Sequence, residues 1–169
     1  VYPLIIHPDR KKKLDDNLMM FFTGFTRFSS DMQKANAKGY QDKTKQLLEM
    51  LDLVDDAQKI LTDKNTDLDD FGRMLDHTWK LKRQTGGAIT TNSIDELYQR
   101  GIDAGALGGK LLGAGGGGFL VFYVQPEKKK AVKEAMKDLL YVPFHFEDGG
   151  TRVIHYTPES YVPKEEEAE

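Results

Sequence analysis

The sequence predicts an α+β domain, an antiparallel sheet with helices packed on one face. Two continuous apolar runs, Leu18–Thr23 and Phe119–Val124, have the length and composition of strands central in a sheet. Between and after them, apolar residues recur at helical spacing in several stretches. With 169 residues the chain has enough length for one core and too little for two comfortable domains.

Taken in order, Val1–Ile6 reads as a short strand with Pro3 near its start, where a missing amide donor does little harm. His7, Pro8 and Asp9 end it, and the charged stretch Asp9–Asp16 is expected to form a turn or a single helical turn. Leu18–Thr23 is the first central strand. A short amphipathic helix is expected over Phe28–Ala37, capped by Ser29 or Ser30, then a polar loop over Lys38–Thr44. Leu47, Met50, Leu51, Val54, Ala57 and Leu61 mark one face of a long helix ending near Thr62. Asn65, Thr66 and Asp67 offer caps for the next helix, whose apolar positions are Phe71, Met74, Leu75, Thr78 and Trp79 and which Gly86 and Gly87 stop. Ser93 with Glu96 fits a capping box for a helix striped by Ile94, Leu97, Tyr98 and Ile102. A glycine-rich loop leads from that helix into the strand Phe119–Val124. Pro126 and Glu127 open a helix running to Leu140, with Val132, Met136 and Leu139 facing inward. Tyr141–Glu147 and Arg152–Tyr156 read as two strands joined by a turn at Asp148, Gly149 and Gly150, across which His145 and His155 face each other. The acidic tail, residues 163–169, is expected to fray from a domain spanning residues 1–162.

A net charge of -3 with 30% charged residues argues against a nucleic-acid surface as the main purpose. The basic triplets Lys11–Lys13 and Lys128–Lys130 are expected on solvated segments. The lack of cysteine excludes disulfides and thiolate metal sites and fits a reducing cytoplasm. No apolar stretch has the length to span a bilayer, so no membrane partner is expected. The four histidines, His7, His77, His145 and His155, have no metal-ligand spacing. The first residue is Val1 rather than Met, as expected of a piece of something longer.

The densest signal is Gly101–Val124, GIDAGALGGKLLGAGGGGFLVFYV, which holds nine of the sixteen glycines. Such density is tolerated where main chain must approach main chain or a ligand closely. A flexible linker would alternate Gly with Ser and would not be sealed by apolar residues at both ends. Gly113, Gly115 and Gly118 satisfy G-x-G-x-x-G, but a dinucleotide fingerprint needs a strand before the loop and a helix after it. Here the expected order is helix, loop, strand. The P-loop pattern fails at Ala104 and Leu111. Asp70, Phe71 and Gly72 spell DFG, yet they precede the loop, look helical and come with no HRD sequence.

Gly105–Phe119, GALGGKLLGAGGGGF, resembles the third signature motif of the GHMP kinases, the family of galactokinase, homoserine kinase, mevalonate kinase and phosphomevalonate kinase. Thr23, Gly24, Phe25, Thr26 and Arg27, a T-G-x-x-R run directly after a strand, are similar to a run in the sugar-kinase branch that includes the heptose 7-phosphate kinases and fucokinases. Trp79 and Lys82 match a W-x-x-K spacing of the same branch. From the residues alone, Trp79 is as well explained by packing, with Lys82 snorkelling from the core to water. Arg27 can pair with a surface acid as readily as with a phosphate.

The resemblance implies the family's ferredoxin-like C-terminal domain and the transfer of the γ-phosphoryl of ATP to a sugar or sugar-phosphate hydroxyl, heptose 7-phosphate at its anomeric position in particular. It also implies that Gly113, Ala114, Gly115, Gly116, Gly117 and Gly118 shape the phosphate pocket. Thr23, Gly24, Arg27, Lys82 and Lys110 are the expected substrate-binding residues. The family's other phosphate loop, P-x-x-x-G-L-x-S-S-A, is absent. So are its aspartate base and its acidic ligand for Mg2+, which the resemblance assigns to an N-terminal kinase domain. No catalytic residue is therefore expected in this half, and the chain alone is expected to be inactive. A second class stays open: a non-catalytic ferredoxin-like ligand-binding or regulatory module. An RNA-binding domain would need basic and aromatic residues together on the sheet, which the mostly apolar strands do not offer.

Overall fold

The computed structural model describes residues 3–25, 43–85, 91–113 and 117–156, without the Thr85 side chain. The described elements run α1 (Pro8–Asn17), β1 (Leu18–Phe22), α2 (Thr44–Thr62), α3 (Asp69–Thr85), α4 (Asn92–Asp103), β2 (Gly108–Leu112), β3 (Phe119–Tyr123), a 3-10 turn (Pro126–Lys128), α5 (Lys129–Ala135) and β4 (Leu140–Val142). The strands form one sheet in the order β2-β3-β1-β4, every pairing antiparallel. The α+β class read from the sequence is the observed one.

The register sets the two faces. Met19 opposes Phe122, and Phe21 opposes Leu120, which in turn opposes Leu111. Their side chains join Trp79, Ile94, Leu97, Tyr98, Val132 and Met136 in the main core. Within it, Trp79 lies 5.6 Å from Tyr98 and Tyr98 lies 5.7 Å from Phe122 between ring centroids. Tyr123, from the other face, packs with Leu14 and Leu68 in a smaller cluster, flanked by Leu18, Leu61, Phe71 and Leu75. A buried polar chain supports that junction. Asn17 Nδ2 donates to the Tyr123 hydroxyl at 2.9 Å, and that hydroxyl donates to Asp69 at the start of α3 at 3.0 Å. Arg10 fastens α1 to the end of α2, donating from Nε to the Ile60 carbonyl at 3.0 Å and from Nη2 to the Thr66 carbonyl and hydroxyl.

Several expectations change. Residues 3–7 form no strand, and Asp9–Asp16 belongs to a ten-residue helix, α1, opened by Pro8 with the His7 ring accepting from the Asp9 amide. Its burial rests on Leu14 and Asn17, too little apolar surface to register as a stripe. Thr91, not Ser93, caps α4, its hydroxyl accepting from the Ile94 amide at 3.3 Å. The glycine run contains a strand of its own, β2, so the order is helix, strand, loop, strand. The expected helix from Pro126 is a 3-10 turn followed by the seven-residue α5. Beyond β4, residues 143–156 form no hairpin. His145 Nδ1 lies 2.6 Å from Asp15 and the Phe146 amide donates to Asp15 at 3.0 Å, drawing this segment onto α1. His145 therefore answers Asp15 rather than His155. The helix expected over Phe28–Ala37 and the acidic tail lie outside the described residues.

The expected stripe on α2 also needs correction. No residue of α2 is fully buried, and Leu51 and Val54 are 63% and 57% exposed. Met50, Ala57 and Leu61 are the half-buried members of that stripe.

Candidate functional site

Glycine on glycine sets the distance between α3 and the sheet edge. A Cβ on Gly108 would stand 2.0 Å from the Gly72 carbonyl oxygen, and one on Gly101 would stand 2.5 Å from the Phe122 ring. Part of the glycine cluster is thus packing, and it carries β2 hard against α3. The hairpin that follows is a different matter. Gly113 and Gly118, at its two ends, have φ of +93° and +103°, the left-handed region that favours glycine.

The hairpin is clasped by the turn after β1. The Thr23 amide and hydroxyl both donate to the Gly118 carbonyl at 2.9 Å. The Gly118 amide donates to the Phe25 carbonyl at 2.8 Å, and the Phe25 amide donates to the Thr23 hydroxyl at 3.3 Å. Gly24 makes the turn at φ +76°, and a Cβ on Gly117 would stand 2.4 Å from the Phe25 carbonyl oxygen. Two motifs far apart in sequence are therefore one structure, joined through main chain and the Thr23 hydroxyl. Phe25, whose carbonyl completes the clasp, was not anticipated as a site residue. A main-chain acceptor leaves no mark in side-chain chemistry. Ala114, Gly115, Gly116 and Arg27 lie outside the described residues.

The structure also brings Lys82 and Lys110 together. Lys110 is half-buried on β2, opposite Val121, and stands three residues, about 10 Å of extended chain, before Gly113. Lys82 is half-buried near the end of α3; burial first, and then the Lys110 ammonium, hold its amine below the usual lysine range. Two like charges within range of one another disfavour each other's ionisation. Trp79, three residues earlier, is 1% exposed and belongs to the core, the role its packing explains. Lys110 also lines an apolar cavity of about 510 Å³ with Leu14, Leu18, Phe71, Val121 and Phe146.

Buried tyrosines near the core are structural. Burial, and then Asp76, push the Tyr98 phenol above its usual range, and it donates to Asp76 at 2.9 Å. Among the described residues no group of three or more His, Asp or Glu side chains is placed to hold a metal ion. Lys82 and Lys110 are cations, which suit an anion. They do not suit Mg2+.

An antiparallel α+β domain presenting a clasped glycine hairpin is the class that fold and site define. A family described as GHMP kinases C terminal matches residues 53–142, more than half of the chain. The chain belongs to the GHMP kinase family, and what it carries is the C-terminal domain. It is 30% identical over 157 residues to a D-glycero-alpha-D-manno-heptose 7-phosphate kinase of Campylobacter jejuni, covering 88% of this chain and 46% of that protein. It is 24% identical over 141 residues to a bifunctional fucokinase/GDP-fucose pyrophosphorylase of Arabidopsis thaliana, covering 82% and 13%. The mevalonate kinase structure of Methanococcus jannaschii superposes with a TM-score of 0.62 at 20% identity, covering 81% of this chain and 42% of that one. The chain thus spans less than half the length of these relatives. Among the described residues no helix is long and apolar enough to cross a membrane.

Proposed function

We propose that this chain is the C-terminal half of an ATP-dependent sugar kinase, acting in the cytoplasm, with heptose 7-phosphate phosphorylated at its anomeric hydroxyl. The observation that carries the reading is the clasp between Thr23–Phe25 and the glycine hairpin, with Lys110 on the strand that leads into it. In phosphoryl transfer the hydroxyl oxygen of the sugar forms the new bond to phosphorus while the bond to ADP breaks. Catalysis is mostly positioning and charge stabilisation. With the Gly118 amide taken by the Phe25 carbonyl, the main-chain amides of residues 113–117 are assigned the phosphates of ATP, and Lys82 and Lys110 the phosphate of the sugar. Arg27, directly after the clasp, is assigned the same substrate. The base that takes the hydroxyl proton and the ligands of Mg2+ are assigned to an N-terminal kinase domain, which would be this chain's principal partner. The similarity to the Campylobacter heptose kinase supports the sugar class. The non-catalytic module has no observation in its favour.

The test is ADP release by the enzyme carrying both halves, offered heptose 7-phosphate, fucose and galactose in turn. Turnover on the heptose phosphate above the other two is expected, and none from the 169-residue chain alone. Robust turnover by that chain alone overturns the division of labour; preference for an unphosphorylated sugar overturns the role of the lysine pair.

A further inference from the structure

Among the described residues the sheet has an open edge. β4 pairs with β1 through Leu140, Tyr141 and Val142, and no strand among the described residues pairs with its outer side. A row of main-chain donors and acceptors at such an edge is a template for another strand. Beside it runs a cavity of about 620 Å³ between α5 and β4. Phe21, Met136, Leu139 and Tyr141 give it an apolar floor, and Lys130, Lys133, Glu134 and Lys137 line it from the helix side. Lys130, Lys133 and Glu134 share one face of α5 by their spacing, and Lys137 follows just past its end. The other flank of the helix is tied to α4, because Arg100 bonds Asp138 at 2.7 Å and the Ala135 carbonyl at 3.3 Å. The lysine face is therefore turned to the open sheet edge. Lys137 pairs with Glu134 at 2.7 Å, and the Lys133 ammonium lies 4.8 Å from the centre of the Tyr141 ring, so the groove is left positive. None of the described hairpin glycines, Lys82 or Lys110 lines it.

We propose that this groove docks an extended acidic segment of a partner protein. The segment adds to the sheet beside β4, lays alternate apolar side chains against Leu139 and Tyr141, and sets its carboxylates against Lys130 and Lys133. Main-chain pairing supplies the affinity of this mode, and the alternating side chains supply its selectivity. A second copy of this chain is a poorer occupant, since pairing β4 with β4 brings two lysine faces together.

A fluorescein-labelled peptide of alternating glutamate and valine, with an alternating lysine and valine peptide as control, is titrated with the protein and followed by anisotropy. The glutamate peptide is expected to bind and the lysine peptide not. Binding weakens about tenfold or more as salt rises from about 0.05 to about 0.5 M, and about tenfold when Lys130→Glu and Lys133→Glu are combined. Both lysines are exposed, so the double variant keeps the melting temperature of the parent. Hydrogen exchange at Leu140–Val142 slows when the peptide is bound. The proposal is overturned by no saturable binding of the glutamate peptide, by equal binding to the double variant, or by binding without protection of β4. Self-association through β4 in the absence of peptide overturns it as well.

Discussion

Thr23 closes the clasp with one hydroxyl, which donates to Gly118 and accepts from Phe25. Thr23→Val keeps the shape and deletes both bonds, and a loss of about 1 to 2 kcal/mol is expected from the urea midpoint. Thr23→Ser keeps the hydroxyl and is expected to retain most of it. Lys82 works in the opposite sense. Its folded amine is held below the usual range, so its charge costs stability at every pH below the folded value, and the cost fades as pH rises through it. Lys82→Met is expected to raise stability at neutral pH, read as a higher urea midpoint, a gain that disappears in strong base. In the two-domain enzyme the same change is expected to raise the KM for a sugar phosphate. Asp15 responds to acid. Burial by itself raises its carboxyl, but the bonds from His145 and the Phe146 amide outweigh that and hold it below the usual carboxylate range. Its contribution is full above the unfolded value near 3.9 and is lost as pH falls through the lower folded value. Asp15→Asn is therefore expected to cost about 1 kcal/mol at pH 7, with the gap to the parent closing in acid denaturation below about pH 4.

Helix positions were legible from period alone: α2, α3 and α4 lie where the spacing of Leu61, Phe71, Leu75, Ile94 and Leu97 puts them. Which members of a stripe are buried was less so. Leu51 recurs at the right interval on α2 yet is 63% exposed, whereas Trp79 on α3 is 1% exposed. Thermal melts should separate them, with Leu51→Ala within about 0.5 kcal/mol of the parent and Trp79→Ala costing about 3 to 5 kcal/mol. β2 was hidden for a different reason. Gly108 and Gly109 have poor strand propensity, and they are in a strand because only glycine lets α3 lie this close. Gly108→Ala would drive a methyl group into the Gly72 carbonyl, so α3 must move away from β2. A loss of at least about 2 kcal/mol is expected, larger than propensity alone predicts for a strand. The hairpin expected over residues 141–156 failed because alternation describes a strand that has a partner. Past Val142 the chain instead finds Asp15 on α1.

Across the whole molecule, the sheet order brings Thr23 and Gly118 together although 95 positions separate them. β1 and β3 are neighbours in register from Leu18 with Tyr123 to Phe22 with Phe119, so the turn leaving one strand must meet the loop entering the other. A methyl group at Gly117 tests that coupling in the enzyme carrying both halves. Gly117→Ala cannot fit beside the Phe25 carbonyl and is expected to lower kcat about tenfold or more, because phosphate positioning tolerates little displacement. Unchanged turnover would separate the clasp from catalysis. By itself the sequence determined the α+β class, the long helices, the two central strands and the family, because apolar period and a dense glycine run are local properties. Only the tertiary structure decided that Gly101 and Gly108 serve packing, that Thr23 and Phe25 hold the hairpin, and that Lys82 lies within reach of the Lys110 charge. Those outcomes depend on main-chain acceptors and on contacts across the sheet, and neither is written in the order of side chains along one stretch.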